Sequence, residues 1–114
     1  MTNDPSAYLK HMRDSARAVM TYSVVHSLED FSANDWDQAA AIRNLEIIGE
    51  AATNIPVEFR DRQSQIPWQD IIDFRNVAIH NYMEVDPNIV WDIITNDVPP
   101  LLLQLVNLIK ITEK

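Results

Sequence analysis

Arg75, Asn76, His80 and Tyr82 fall within the run Arg75-Asn76-Val77-Ala78-Ile79-His80-Asn81-Tyr82, and the four side chains together suit chemistry on a phosphodiester. An arginine offers phosphate oxygens a planar fork of donors and stays protonated at any physiological pH. A histidine is the side chain best placed to take up and return a proton near neutrality. That combination needs no metal ion.

The element that must position these groups starts at Pro67. Pro67-Trp68-Gln69-Asp70 puts a proline and an acidic residue where the first turn of a helix favours them, and the pattern predicts a helix running to about Asn81. At about 100° per residue, Asn76 and His80 lie one turn apart on one face, while Arg75 and Tyr82 share a second face about 140° from His80. One helix therefore brings the four groups together only if the long arginine bends across its surface. Alternatively, a second copy of the helix completes the site, as in a two-fold dimer with two such segments on facing walls of one cleft. His80 also falls near the helix C-terminus, where the negative end of the dipole favours imidazolium. That suits a group that must later act as an acid.

The rest of the sequence predicts an all-α fold, a compact bundle of four to five helices forming one domain over residues 1–114. A single Gly in 114 residues removes the punctuation a hairpin-rich fold needs, and most of the chain has helical periodicity. Asp4-Pro5 supplies a cap followed by proline and opens a helix to about Ser27, with Tyr8, Met12, Ala16, Val19 and Tyr22 on one stripe. Glu29-Asp30-Phe31-Ser32 is expected to break it. Asn34 or Ser32 caps a second helix, about Asp35 to Asn54, with Ala41, Leu45, Ile48 and Ala52 facing one way. Pro56 ends that run and starts a short helical turn through Arg62. Asp86-Pro87 opens a last helix through Val90, Ile93 and Ile94, which Pro99-Pro100 should kink or split. The stretch Leu101 to Ile109 is too short to span a membrane and too apolar to lie exposed, so it reads as a core or dimer helix. Gly49 in mid-helix costs about 1 kcal/mol relative to Ala, a cost that close crossing of a neighbouring helix would explain.

Composition narrows the function. The net charge of -8 argues against a broad basic face for nucleic acid, so any such contact must be local. Lys10, Arg13 and Arg17 form a helical-spaced basic row that could supplement Arg75, or serve only as a solvated face. The chain has no Cys, which excludes disulfides, thiolate metal sites and a Cys nucleophile, and the usage fits a reducing cytoplasm. The start Met1-Thr2-Asn3-Asp4-Pro5 lacks the basic and apolar regions of a signal peptide, and no membrane span is expected. Nor is a metal or other cofactor: the acids lack the paired Glu-x-x-His pattern of bridged metal sites, since His26-Ser27-Leu28-Glu29 has the reverse order and stands alone. His11 and His26 read as surface or interface residues. Tyr8, Tyr22, Trp36, Trp68 and Trp91 read as core or interface aromatics rather than base-stacking platforms.

In order and spacing, Arg75, His80 and Tyr82, with Asn76 after the arginine, resemble the motif of the small all-helical HEPN ribonuclease toxins. The closer resemblance is to the HepT-like branch, which is paired with a minimal nucleotidyltransferase antitoxin. Ile42-Arg43-Asn44-Leu45-Glu46-Ile47-Ile48-Gly49-Glu50-Ala51-Ala52 is similar to the second-helix segment of that family, and Asp73-Phe74-Arg75-Asn76 to its lead-in, with Asp73 where the family pattern has Gly. The resemblance covers nearly the whole domain. It implies a metal-independent endoribonuclease in which His80 is the general base on a ribose 2'-hydroxyl and Arg75 stabilises charge developing on phosphate. Asn76 would orient His80 or hold a phosphate oxygen. It further implies an RNA substrate, a homodimer, and an antitoxin that adds AMP to Tyr82.

Glu46 and Glu50 lie one turn apart and could hydrogen-bond Arg75 or His80 from the neighbouring helix, Glu50 being the better placed. The residues themselves also permit plainer roles, with Arg75 paired to Asp73 or Glu84 and His80 bonded to Asn76. Two further classes of function stay open beside the ribonuclease: a helical module that binds nucleotide or RNA without cleaving it, and an interaction protein whose last helix forms a dimer or docks a partner.

Overall fold

Ser27 decides where the first helix stops. In the computed structural model, which describes residues 4–81 and 85–113 with His80 and Asn81 by backbone alone, α1 covers Ser6–Val25. It is entered through Asp4, whose Oδ1 accepts from the Ser6 amide at 2.9 Å. Ser27, expected inside that helix, instead caps the next. Its Oγ accepts from the Asp30 amide and the Asp30 carboxylate accepts from the Ser27 amide, both at 3.1 Å, a reciprocal capping box. The segment expected to be a break is therefore a short helix, α2, Leu28–Ser32. It is anchored by Phe31, which is fully buried.

The next elements follow the sequence signals closely. Asn34 Oδ1 accepts from the Asp37 amide at 3.0 Å and starts α3, Asp35–Asn54. Pro56 precedes α4, Val57–Arg62, and Pro67 precedes α5, Trp68–Asn81. Asp86 Oδ1 accepts from the Asn88 amide at 2.9 Å and opens α6, Pro87–Asp92.

Pro99-Pro100 does not split the last rod. Ile93–Asp97 forms a π-helical turn, closed by the Val98 amide on the Ile93 carbonyl, and leads without interruption into α7, Val98–Thr112. A proline ring in an α-helix collides with the carbonyl four residues back, and its missing N–H leaves that carbonyl without a donor. Widening the turn just upstream opens the space that the rings need. By length and composition the rod from Pro87 to Thr112 is long and apolar enough to cross a membrane. Its stripe Val90, Ile94, Val98, Leu101, Leu105, Leu108 and Ile109 is nevertheless buried in the protein core.

The long elements pack in series: α1 against both α3 and α7, and α3 in turn against α5, while α2 bridges α3 and α6. Met12, Ala16 and Val19 meet Leu45, Ile48 and Ala52 and the α7 stripe in one hydrophobic core. Each large side chain so buried contributes about 1.5–3 kcal/mol. Trp68 is buried and donates from Nε1 to the Gln63 carbonyl at 2.9 Å. Of the two roles expected for Trp36, core or interface, the core one is not met. Trp36 stands in the first turn of α3 on the solvent side and is 86% exposed, so it is no core aromatic.

Candidate active site

The face that α5 turns to α3 carries Trp68, Ile72 and Ala78, all buried. Arg75 lies on that same face, three residues from Ile72 and three from Ala78, where periodicity calls for an apolar side chain. It fits because Gly49 of α3 is opposite: a Cβ built at Gly49 would fall 2.3 Å from Arg75 Cβ. The close crossing expected from a mid-helix glycine is therefore present, and its partner is the candidate catalytic arginine.

From this half-buried root the arginine bends toward the exposed side of α5. Nη1 donates to Asn76 Oδ1 at 3.0 Å, which carries the guanidinium onto the face that Asn76 shares with His80. Nε is buried and has no hydrogen-bond partner. An unpaired buried donor costs about 1–3 kcal/mol and calls for an explanation. Among the described residues no carboxylate is within ion-pair distance of Arg75. Asp73 accepts from Gln69 Nε2 at 2.8 Å instead, so the plain ion pair with Asp73 is not made; Glu84 lies outside the described residues.

Of the two targets expected for Glu46 and Glu50, Arg75 and His80, the imidazole of His80 lies outside the described residues. Neither carboxylate reaches Arg75: both turn to Arg43 of their own helix, whose Nη1 is 3.8 Å from Glu46 Oε1 and 3.1 Å from Glu50 Oε1. Glu46 is one turn from Arg43, the spacing at which side chains on a helix surface meet, and the long guanidinium reaches Glu50 as well. The backbone of His80 is in the last turn of α5, one turn beyond Asn76, and the position of its imidazole lies outside the described residues. So does the whole of Tyr82.

The basic row on α1 is largely neutralised. Lys10 pairs with Glu113, which holds that carboxyl below its usual range, and Arg13 Nε lies 2.9 Å from Asp14 Oδ1. The row therefore behaves as a solvated face. His26 is also explained without chemistry: its exposed ring stacks on Tyr22 at 3.9 Å between centroids.

One feature had no signal in the sequence. A groove of about 670 Å³ runs beside α5, walled by Ile71 and Phe74 on one side and by Ile93 and Pro100 on the other, with Asp70 and Asp97 among its lining. It exists because α5 packs chiefly on α3 and leaves a gap toward the π-helical turn. Arg75 does not line it.

Against known proteins, residues 12–108 match the family model described as Ribonuclease HepT-like. The protein named "Putative RNase TTE0752" of Caldanaerobacter subterraneus is 37% identical over 97 residues, covering 85% of this chain and 87% of its own. "Probable ribonuclease HepT" of Thermococcus cleftensis is 35% identical over 94 residues, 82% of this chain and 86% of its own. A longer relative, "Gamma-glutamylcyclotransferase and putative RNase MJ0434" of Methanocaldococcus jannaschii, is 32% identical over the full 114 residues. The chain spans only 51% of that relative's length. No solved structure matches the chain significantly.

Proposed function

The chain belongs to the HepT-like ribonuclease family, and on that premise we propose that it is an endoribonuclease that cleaves RNA with Arg75 and His80 and without a metal ion. His80 takes the proton of a ribose 2'-hydroxyl. The 2'-oxygen then forms a bond to phosphorus while the bond from phosphorus to the 5'-oxygen breaks, and the proton is returned to that leaving oxygen. The products are a 2',3'-cyclic phosphate and a 5'-hydroxyl. Arg75 stabilises the charge that accumulates on the phosphoryl oxygens, and Asn76 holds its guanidinium on the His80 side of the helix.

The observation that carries this reading is the state of Arg75. In a chain with 17 Asp and Glu residues, its guanidinium pairs with no carboxylate among the described residues and keeps a buried Nε without a partner. The charge is thus uncompensated, and the terminal Nη donors, not the enclosed Nε, are what an anion from outside would meet, in the bidentate fashion in which phosphate accepts from arginine.

Tyr82 is the proposed acceptor of AMP from a nucleotidyltransferase antitoxin. The modification would add bulk and negative charge two residues from His80, blocking the cleft and competing for Arg75. A homodimer would set two copies of α5 across one cleft; Val77 and Ile79, exposed on that helix, fit such a wall. Acting on cellular RNA, the protein would work in the cytoplasm.

The test is cleavage of total RNA in EDTA by wild type, Arg75→Ala and His80→Ala, with Tyr82 confirmed unmodified by intact mass. Wild type should leave cyclic phosphate ends, and each variant should lose about 10²–10⁴-fold in rate. Cleavage by His80→Ala at the wild-type rate would remove His80 from the mechanism. Incubation with cognate antitoxin and ATP should raise the mass by one AMP in wild type but not in Tyr82→Phe; equal labelling of both would eliminate Tyr82 as the acceptor.

A further inference from the structure

Gly49 is the single glycine of the chain, and its backbone has no need to be glycine, because no residue described has a positive φ. What position 49 lacks is room. A Cβ there would meet Arg75 Cβ at 2.3 Å, Arg75 Cγ at 2.9 Å and the Ile71 carbonyl oxygen at 3.1 Å. The first and third of these atoms are fixed by the α5 backbone, so no side-chain rotation relieves them. Only movement of α5 itself would.

We infer that Gly49 is a positioning residue for Arg75: its missing side chain lets the arginine root in the seam between α3 and α5, and so sets the place and direction of the guanidinium. This rests on the reading in which Arg75 meets phosphate. The root is on the core face, Nε is enclosed there, and Nη1 emerges to Asn76. A side chain at 49 displaces the root, and the guanidinium moves with it. The donor edge is then misaligned with the phosphate, although every residue of the motif is still present. A misplacement of about 1 Å is enough to cost about 10²-fold in rate.

The experiment uses the full chain and a labelled single-stranded RNA, with G49A, R75A, the double variant G49A/R75A, and Ile48→Val as a variant that thins the same helix elsewhere. Cleavage is measured together with the salt dependence of RNA binding. G49A should lose about 10²-fold in kcat/KM, and its slope of log Kd against log salt should fall by about 0.7, the value for one phosphate contact to a single strand. G49A/R75A should bind as R75A does, because the glycine acts through the arginine. Ile48→Val should leave the salt slope unchanged.

If R75A loses activity while G49A cleaves and binds like wild type, the inference is overturned and the reading of Arg75 stands. If R75A itself matches wild type, the reading of Arg75 fails and takes the inference with it. Should G49A not fold, the pair G49A/R75G removes two of the three atoms that the new Cβ meets. Because the Ile71 carbonyl remains, recovery toward the melting temperature of R75G supports the inference, and a double variant that folds no better than G49A overturns it.

Discussion

Tyr22 is the residue whose environment gives the clearest solution signature. Its hydroxyl donates to Asp37 Oδ2 at 2.6 Å. Partial burial first, then the bond to Asp37 and that carboxylate's charge, and then the charge of Asp30, push the phenol up from 10.0 to about 12. Its pKa in the fold lies above its unfolded value, so the stability it contributes is complete below about pH 10 and is lost as pH climbs from about 10 to about 12. Urea unfolding at about pH 9 and about pH 11 should therefore show a steeper alkaline loss in wild type than in Tyr22→Phe. At this scale the sequence showed residue types better than contacts. Order and spacing single out Arg75, Asn76 and His80, and an arginine bending across the helix is one of the two arrangements they allow, but the bond from Arg75 to Asn76 is not among the expected contacts. A helical wheel places Cβ atoms and says nothing of where a long guanidinium ends. For a related reason the expected bond from Glu46 or Glu50 to Arg75 is not made: Arg43 on the same helix pairs with both carboxylates.

Among the elements, α3 carries the most, since it holds α1 on one side and α5 on another and contains Gly49. Its start depends on Asn34, whose Oδ1 satisfies the otherwise orphaned Asp37 amide. Asn34→Ala should lower stability by about 1 kcal/mol, read as a drop in melting temperature with helix content retained at low temperature; an unchanged melting temperature would show that the cap contributes nothing. The starts of α3, α4 and α5 are readable because Asn34, Pro56 and Pro67 act locally. The helix α2 was missed because five residues are too few for periodicity to register, although Ser27 and Asp30 have capping-box spacing. The π-helical turn was hidden for another reason. A reading at 3.6 residues per turn treats Pro99-Pro100 as a break and cannot represent a turn that widens to pass them.

On the scale of the whole molecule, periodicity and glycine scarcity sufficed for an all-α bundle, because they record which faces must be buried. They do not record which faces find a partner. Trp36 is exposed and the groove beside α5 is open because of which distant segments pack on one another, a relation that no local pattern encodes. Light scattering at micromolar concentration should return the mass of a dimer; a monomer mass throughout would leave the cleft to one chain. The packing order has a further consequence for endurance. Whereas α1 is held by both α3 and α7, α5 has its substantial contacts, among the described residues, with α3. A segment hung on one seam opens at lower free energy than one clasped on two, so amide protons of Ile72 to Ala78 should exchange ahead of those of Met12 to Val19. The helix bearing Arg75 would then detach while the remainder stays folded, and on gradual warming the protein should fall silent before it melts.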